Sequence, residues 1–427
     1  MLTSKDVKRG QFMYICEAAL EYLISILVTG SFLATLTGEL GFSDSLTGIL
    51  SSIISLGCVF QIISVFIRRK RVKSLVLIMS VINQLLFMLL YLIPVVEIPW
   101  SIKTVLFVVF IFAAYLIYNI AHPKKINWLM SLVDNDIRGV FTSNKEIVSL
   151  ISGMLLTYIM GAVIDHFSAK DEIRIAMVLS AMVILVLMTL HTLSMVFTPE
   201  LEQPKAEHKN IFKAIKEVLE NRNAIHVMVV FVLYYVSTYV STPFYGTYLI
   251  NDLDFSLKMV SWLTIMSSLV RIIASIFWGR YADRTSFENM TQKCLLVLAF
   301  GYLFVVFATP GNGIVTFGLY YVFHGVALGG INSALINLIY DYVAIEKCAD
   351  SLAVCQVASG ISGFVATLLA SLFVALVQGN DNQFWGIHVY AQQVVSVIAS
   401  AFVLTAFVYV IKVFEKPKIV ERERKEE

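Results

Sequence analysis

The feature that most constrains this chain is a succession of long apolar segments between residues 12 and 414, among them Gly153–Ile164, Val178–Leu190, Leu295–Ala308 and Phe402–Ile411. A bilayer-spanning helix needs about 20 mostly apolar residues, because its backbone must satisfy its own hydrogen bonds in hydrocarbon. Runs this numerous and closely spaced do not fit one soluble core. The chain is 58% hydrophobic and 15% charged, with mean hydropathy +0.79, against about 25% charged residues in a soluble protein. The sequence therefore predicts an all-α polytopic membrane protein.

Twelve spans fit, at about 12–35, 44–67, 74–93, 102–121, 143–164, 174–196, 225–249, 259–279, 291–309, 313–339, 351–377 and 386–412. Those longer than the hydrocarbon thickness are absorbed by tilt. Lys5, Asp6, Lys8 and Arg9, followed by Glu17 and Glu21, make a poor signal-peptide core, so the first segment reads as a retained span. The five cysteines, Cys16, Cys58, Cys294, Cys348 and Cys355, have neither metal-ligand spacing nor a disulfide pattern, and no metal site is expected.

Charge between the spans sets orientation. Arg68–Lys73 carries five positive charges in six residues. Lys124, Lys125, Arg138 and Lys145 surround the fourth connection, Lys205, Lys209, Lys213, Lys216 and Arg222 the sixth, Arg280 and Arg284 the eighth, and Lys347 the tenth. Thr37–Ser43, Pro310–Gly313 and Gln378–Gly386 have no Lys or Arg. Positive-inside bias then places both termini and every even connection in the cytoplasm, as for a plasma-membrane protein of the bacterial inner-membrane type. A net charge of +2 gives no basis for a nucleic-acid partner. The expected partners are a small-molecule solute and membrane lipids, with the monomer as the working unit.

The long internal break, Thr198–Asn223, separates six spans from six. Ile211, Phe212, Ile215, Val218 and Leu219 share one helical face there, predicting a short amphipathic helix. The expected organisation is a bundle over 1–197, a cytoplasmic linker over 198–223, a second bundle over 224–414 and a charged tail over 415–427. Two pseudo-symmetric six-helix halves suggest a transporter. No phosphate-binding loop is present, so direct ATP use has no basis, and no cofactor is expected.

Charged and polar groups within the spans are the functional candidates, because charge at bilayer depth needs a partner, water or neutralisation. Glu17 and Glu21 lie one turn apart on the same face of the first span, where two carboxylates can share a proton. Arg271, two turns before the end of the eighth span, requires a carboxylate, carbonyl groups or water. Asp341 and the first-span glutamates are both candidate partners, and an anionic solute is another. Tyr118, Asn119 and His122 group in the fourth span, Tyr234, Tyr235, Thr238 and Tyr239 in the seventh, and His324 and Asn332 in the tenth. Tyrosine joins a rigid apolar body to a hydroxyl and suits mixed polar and apolar ligands. Asn144, Lys145 and Glu146 form a polar cluster at the start of the fifth span.

Gly279–Arg280–Tyr281–Ala282–Asp283–Arg284, at the predicted cytoplasmic turn between spans eight and nine, resembles the Gly-x-x-x-Asp-Arg signature of the major facilitator superfamily. The equivalent first-half stretch, Gln61–Phe66, lacks both the glycine and the aspartate, while Asn135–Gly139 is similar to a connection in many members. The resemblance implies twelve helices in two six-helix bundles, with spans one, four, seven and ten around the solute. That gives Glu21, Tyr118, Asn119, Tyr235, Tyr239, His324 and Asn332 added weight, and implies a gating role for Gly279, Asp283 and Arg284. Gly279 is expected to allow close helix approach.

The function that follows is secondary active transport of a small organic solute by alternating access, with the proton as coupling ion through Glu17 or Glu21. His324 is another proton candidate. An organic-anion exchanger or uniporter built on Arg271 is the alternative. A channel or an intramembrane enzyme stands behind these.

Overall fold

The computed structural model describes residues 4–61, 63, 71–133, 138–200, 211–343, 345–380, 382–384 and 387–414. Arg68, Arg69, Lys70, Asn135, Lys205, Lys209 and the charged tail lie outside them. Among the described residues the regular structure is helical apart from one antiparallel pair of two-residue strands, β1 (Gln383–Phe384) and β2 (Ile387–His388).

The first unit contains α1 (Ser4–Leu27), α2 (Gly30–Gly38), α3 (Asp44–Phe60), α4 (Lys73–Leu92), α5 (Trp100–Met130), α6 (Arg138–Ser168) and α7 (Ile173–Phe197). Helices α1 and α2 form one span, Lys5–Gly38, broken at Gly30. Gly30 has φ +55°, a left-handed conformation that a side chain would strain. Helix α1 packs on α6 and α7, α4 on α5 and α7, and α3 on α5. Tyr14, Val76, Trp128, Leu129 and Met195 form one buried cluster where these helices meet. The indole Nε1 of Trp128 donates to the Pro199 carbonyl at 2.9 Å. Lys73 Nζ donates to the carbonyls of Val196 and Thr198, both at 2.7 Å, fastening the start of α4 to the end of α7.

The expected fourth span ended at residue 121, but α5 continues to Met130, straight through Pro123. Proline removes one ladder hydrogen bond, but the packing of Trp128 and Leu129 holds the final turns helical. This moves Lys125 from a connection into a helix interior.

The second unit contains α8 (Ile211–Glu220), α9 (Arg222–Ser241), α11 (Leu257–Arg284), α12 (Phe287–Val306), α13 (Gly313–Tyr342), α14 (Ile345–Gln378) and α15 (Ala391–Val413). After α9 the backbone passes through a 3₁₀ turn at Thr242–Phe244, a short turn α10 (Tyr245–Thr247) and a π turn at Tyr248–Asp252. Pro243, with no N–H to donate, lies in the first of these. Residues 249–251 and 255–262 group with the first unit and the remainder of α11 with the second. Helix α12 packs on α13 and α15, while α9 packs on α14 and α15.

Eleven helices among the described residues are long and apolar enough to cross a membrane. The expected span at 44–67 appears as α3, 17 residues long, and its continuation lies outside the described residues.

Candidate functional site

In the first unit, helical periodicity brings four ionisable side chains together. Glu17 and Glu21 share a face of α1, and Tyr118, His122 and Lys125 share a face of α5 at four- and three-residue steps. Lys125 is only 3% exposed. Its Nζ lies 2.8 Å from Glu17 Oε1 and also pairs with Glu21 Oε2. From α7, the fully buried His191 directs Nε2 at Glu17 Oε1, 3.2 Å away, and at Glu21 Oε2, 3.6 Å away. Gln84 on α4 completes the set, its Nε2 lying 3.0 Å from His191 Nδ1. With Gln84 donating, Nδ1 is the acceptor and Nε2 carries the hydrogen that faces Glu17. The other end of the amide, Gln84 Oε1, is buried without a hydrogen-bond partner among the described residues. The Tyr118 ring stands 5.1 Å from His122 and 5.9 Å from the Lys125 ammonium.

Burying this set costs desolvation that only close pairing offsets. Two carboxylates and one ammonium leave one negative charge when His191 is neutral, and none when it is protonated. Glu17, Glu21 and His191 also offer three ligand atoms within 4.8 Å of one another, a spacing compatible with a metal ion. The Lys125 ammonium lies against both carboxylates and fills the cation's place.

The second unit is built differently. Tyr235 and Tyr239 stack at 5.9 Å on one half-buried stripe of α9 that also carries Thr238, with the half-buried Thr242 following in the 3₁₀ turn. Tyr234, Tyr245, Tyr302 and Tyr320 are buried beside them. The Tyr245 ring meets Tyr320 at 5.1 Å, and Tyr320 meets Tyr302 at 6.1 Å and His324 at 5.1 Å. The Tyr245 hydroxyl bonds to Ser396 Oγ at 2.7 Å. Arg271 is half-buried in α11, and its charge acts on His324. Asn332 is exposed.

Three expected assignments require correction. Lys125, placed among the connection charges, is the direct partner of both glutamates. Asn119 does not join the cluster of Tyr118. It is buried against Gly57 of α3, donates to the Tyr115 carbonyl at 2.8 Å and accepts from Gln61 at 3.3 Å. One residue is about 100° of helix rotation, enough to turn it from the cluster into a helix contact. Gly279 has nothing among the described residues within 4 Å of where a Cβ would sit, so the expected close helix approach is not made there. The close approaches occur instead at Gly325, whose Cβ would lie 2.6 Å from the Ser267 carbonyl oxygen, and at Gly329, 2.9 Å from that of Arg271. Arg284 is exposed at the end of α11, and the Asp283 side chain lies outside the described residues.

Sequence reasoning missed His191, a lone histidine in an apolar run. The readable signal for Lys125 was its seven-residue spacing from Tyr118, which proline at 123 obscured.

No curated protein matches this chain. The Major Facilitator Superfamily model matches residues 227–427. Among solved structures, a mutant form of the nucleoside transporter NupG superposes with a TM-score of 0.72 at 13% identity, covering 95% of this chain and 100% of that one. A D-xylose-proton symporter gives 0.67 at 13% identity, covering 93% and 97%. A bacterial metal transporter gives 0.62 at 12% identity, covering 97% and 100%. Residues 227–427 thus match the Major Facilitator Superfamily in sequence, and nearly the whole chain has the fold of these solved transporters.

Proposed function

We propose that this protein is a proton-coupled secondary transporter of a small organic solute, working by alternating access. The observation that carries this reading is the buried set Glu17, Glu21, Lys125 and His191, whose net charge of minus one is cancelled by a single proton. A neutral cluster is cheaper to keep from water than a charged one, so proton uptake biases which state is stable. Gln84 supports His191 as the carrier. If its amide turns over, the unpartnered Oε1 becomes the acceptor that a second ring N–H requires. One of the fold neighbours is described as a D-xylose-proton symporter, which is consistent with this chemistry on this fold.

Tyr235, Tyr239, Thr238 and Thr242 favour a solute with a flat apolar face and polar edges, such as a sugar, nucleoside, peptide-like or amphipathic compound. Arg271 beside His324 favours a second reading, an organic-anion exchanger. Positive-inside bias supports cytoplasmic termini in a bacterial inner membrane, and the monomer is taken as the working unit. The match of residues 227–427 to a superfamily of carriers weighs against the intramembrane-enzyme reading.

Uptake by proteoliposomes across a panel of neutral and anionic metabolites, with and without an imposed pH gradient, tests the proposal. Gradient-driven accumulation of a neutral solute, abolished in Glu21→Gln, is the expected result. Accumulation indifferent to the gradient, with anion-for-anion exchange, establishes the second reading instead.

A further inference from the structure

The second unit also carries a groove with a volume of about 660 Å³, between α11 and α13. Its wall is a helical stripe of Val270, Ile273, Ala274 and Phe277, faced by Val326. Phe277 is 64% exposed and Ile273 57%. Val326 is two residues from His324, about 200° around α13, so the groove opens on the side of that helix away from His324. Trp278 forms the floor: its ring lies against Gly330, and Nε1 donates to the Val326 carbonyl at 2.7 Å. Beyond the apolar stretch come the ring of Tyr281, edge-on to Trp278 at 5.8 Å, and then the exposed guanidinium groups of Arg280 and Arg284.

Along α11 the lining therefore changes in order: apolar for about 10 Å from Val270 to Phe277, then amphipathic aromatic, then cationic. That order matches the profile of a phospholipid, with acyl chain, ester region and phosphate. Aromatic rings favour the ester level of a bilayer, and a guanidinium fork suits phosphate oxygens. We infer that this groove is a binding site for an anionic phospholipid, its acyl chain along Ile273 and Phe277 and its phosphate on Arg280 and Arg284. The occupant is drawn from the leaflet on the positively charged side of the membrane, which for this chain is the cytoplasmic one. Zwitterionic lipid fits the apolar part equally well but answers the two cations less well.

The test compares retention of phosphatidylglycerol and phosphatidylcholine with identical acyl chains, by native mass spectrometry of the full chain in detergent. Wild type should retain phosphatidylglycerol preferentially, by about fivefold for each arginine, since a basic residue near an anionic surface contributes on that scale. Arg280→Gln/Arg284→Gln should lose the preference while holding phosphatidylcholine as before. Val270→Trp, which fills the groove, should weaken both lipids, and it provides the reading if the double variant does not fold. Equal retention of the two lipids by wild type, an unchanged preference in the double variant, or competition by inorganic phosphate alone as strong as by the lipid would overturn the assignment.

Discussion

The two units carry helices of the same kind and fill them with opposite chemistry. The first buries charge: Glu17, Glu21, Lys125 and His191 lie in mutual contact, braced by Gln84. The second buries rings: Tyr234, Tyr245, Tyr302 and Tyr320 are all buried, Tyr245 meets Tyr320 edge-on, Tyr320 meets Tyr302 at a tilt, and the Tyr245 hydroxyl bonds to Ser396. A charge cluster responds to protons and little to the shape of a solute. A ring cluster recognises shape and is nearly blind to pH. A carrier that couples one to the other gains by keeping them on separate scaffolds, where each can be altered without damaging the other.

The hardest blow to this division is Lys125→Met. It leaves two carboxylates buried without their cation, and stability should fall by about 3–5 kcal/mol, with gradient-driven uptake lost. Thermal unfolding and uptake read both effects, and adding Glu21→Gln should recover much of the stability but not the coupling. If Lys125→Met unfolds no earlier than wild type, the ammonium is not what holds the cluster.

His191→Gln comes next. The cluster is neutral when His191 is protonated, so coupled uptake by wild type should decline as pH rises, whereas the variant should give a flat profile with solute counterflow intact. A pH profile identical to wild type assigns the proton elsewhere.

In the second unit, Tyr235→Ala or Tyr239→Ala should raise KM by about fivefold, the worth of one stacked ring, and leave the pH profile where it was. A shift of that profile would erase the separation between the units. The smallest effects come from a glycine pair. Gly325→Ala should cost about 1–3 kcal/mol by forcing α11 off α13. Gly279→Ala should be neutral or stabilising by up to about 1 kcal/mol, since its Cβ meets open space in a helix. Differential scanning of the two variants side by side checks the contrast.

Much of this is legible in the sequence. Hydrocarbon leaves a chain few options, so span number and the alternation of Arg68–Lys73, Arg280 and Arg284 with uncharged turns emerged from composition alone. Glu17 and Glu21 were legible because a four-residue step is a local property of one helix. Their partners were not, because pairing depends on which helices become neighbours. The packing of α1 on α7 brings His191 to Glu17, and nothing in the run Ile173–Phe197 announces it. Lys125 was misplaced for a second reason. Proline at 123 ordinarily marks a boundary, and only the tertiary packing of Trp128 and Leu129 carries the helix past it. Asn119 failed on rotation, since a polar residue next to Tyr118 reads as its companion in one dimension and turns away in three.

The same proline has a mechanical consequence. With no N–H at Pro123, the Asn119 carbonyl lacks its partner in the ladder, and a rod with a missing rung is more compliant there than along its length. The compliant point falls between Tyr118, on the longer arm of α5, and Lys125, on the shorter. Elastic deformation of this rod is thus concentrated at the base of the ammonium, and a few degrees of tilt displaces Lys125 relative to the carboxylates while the aromatic arm stays still.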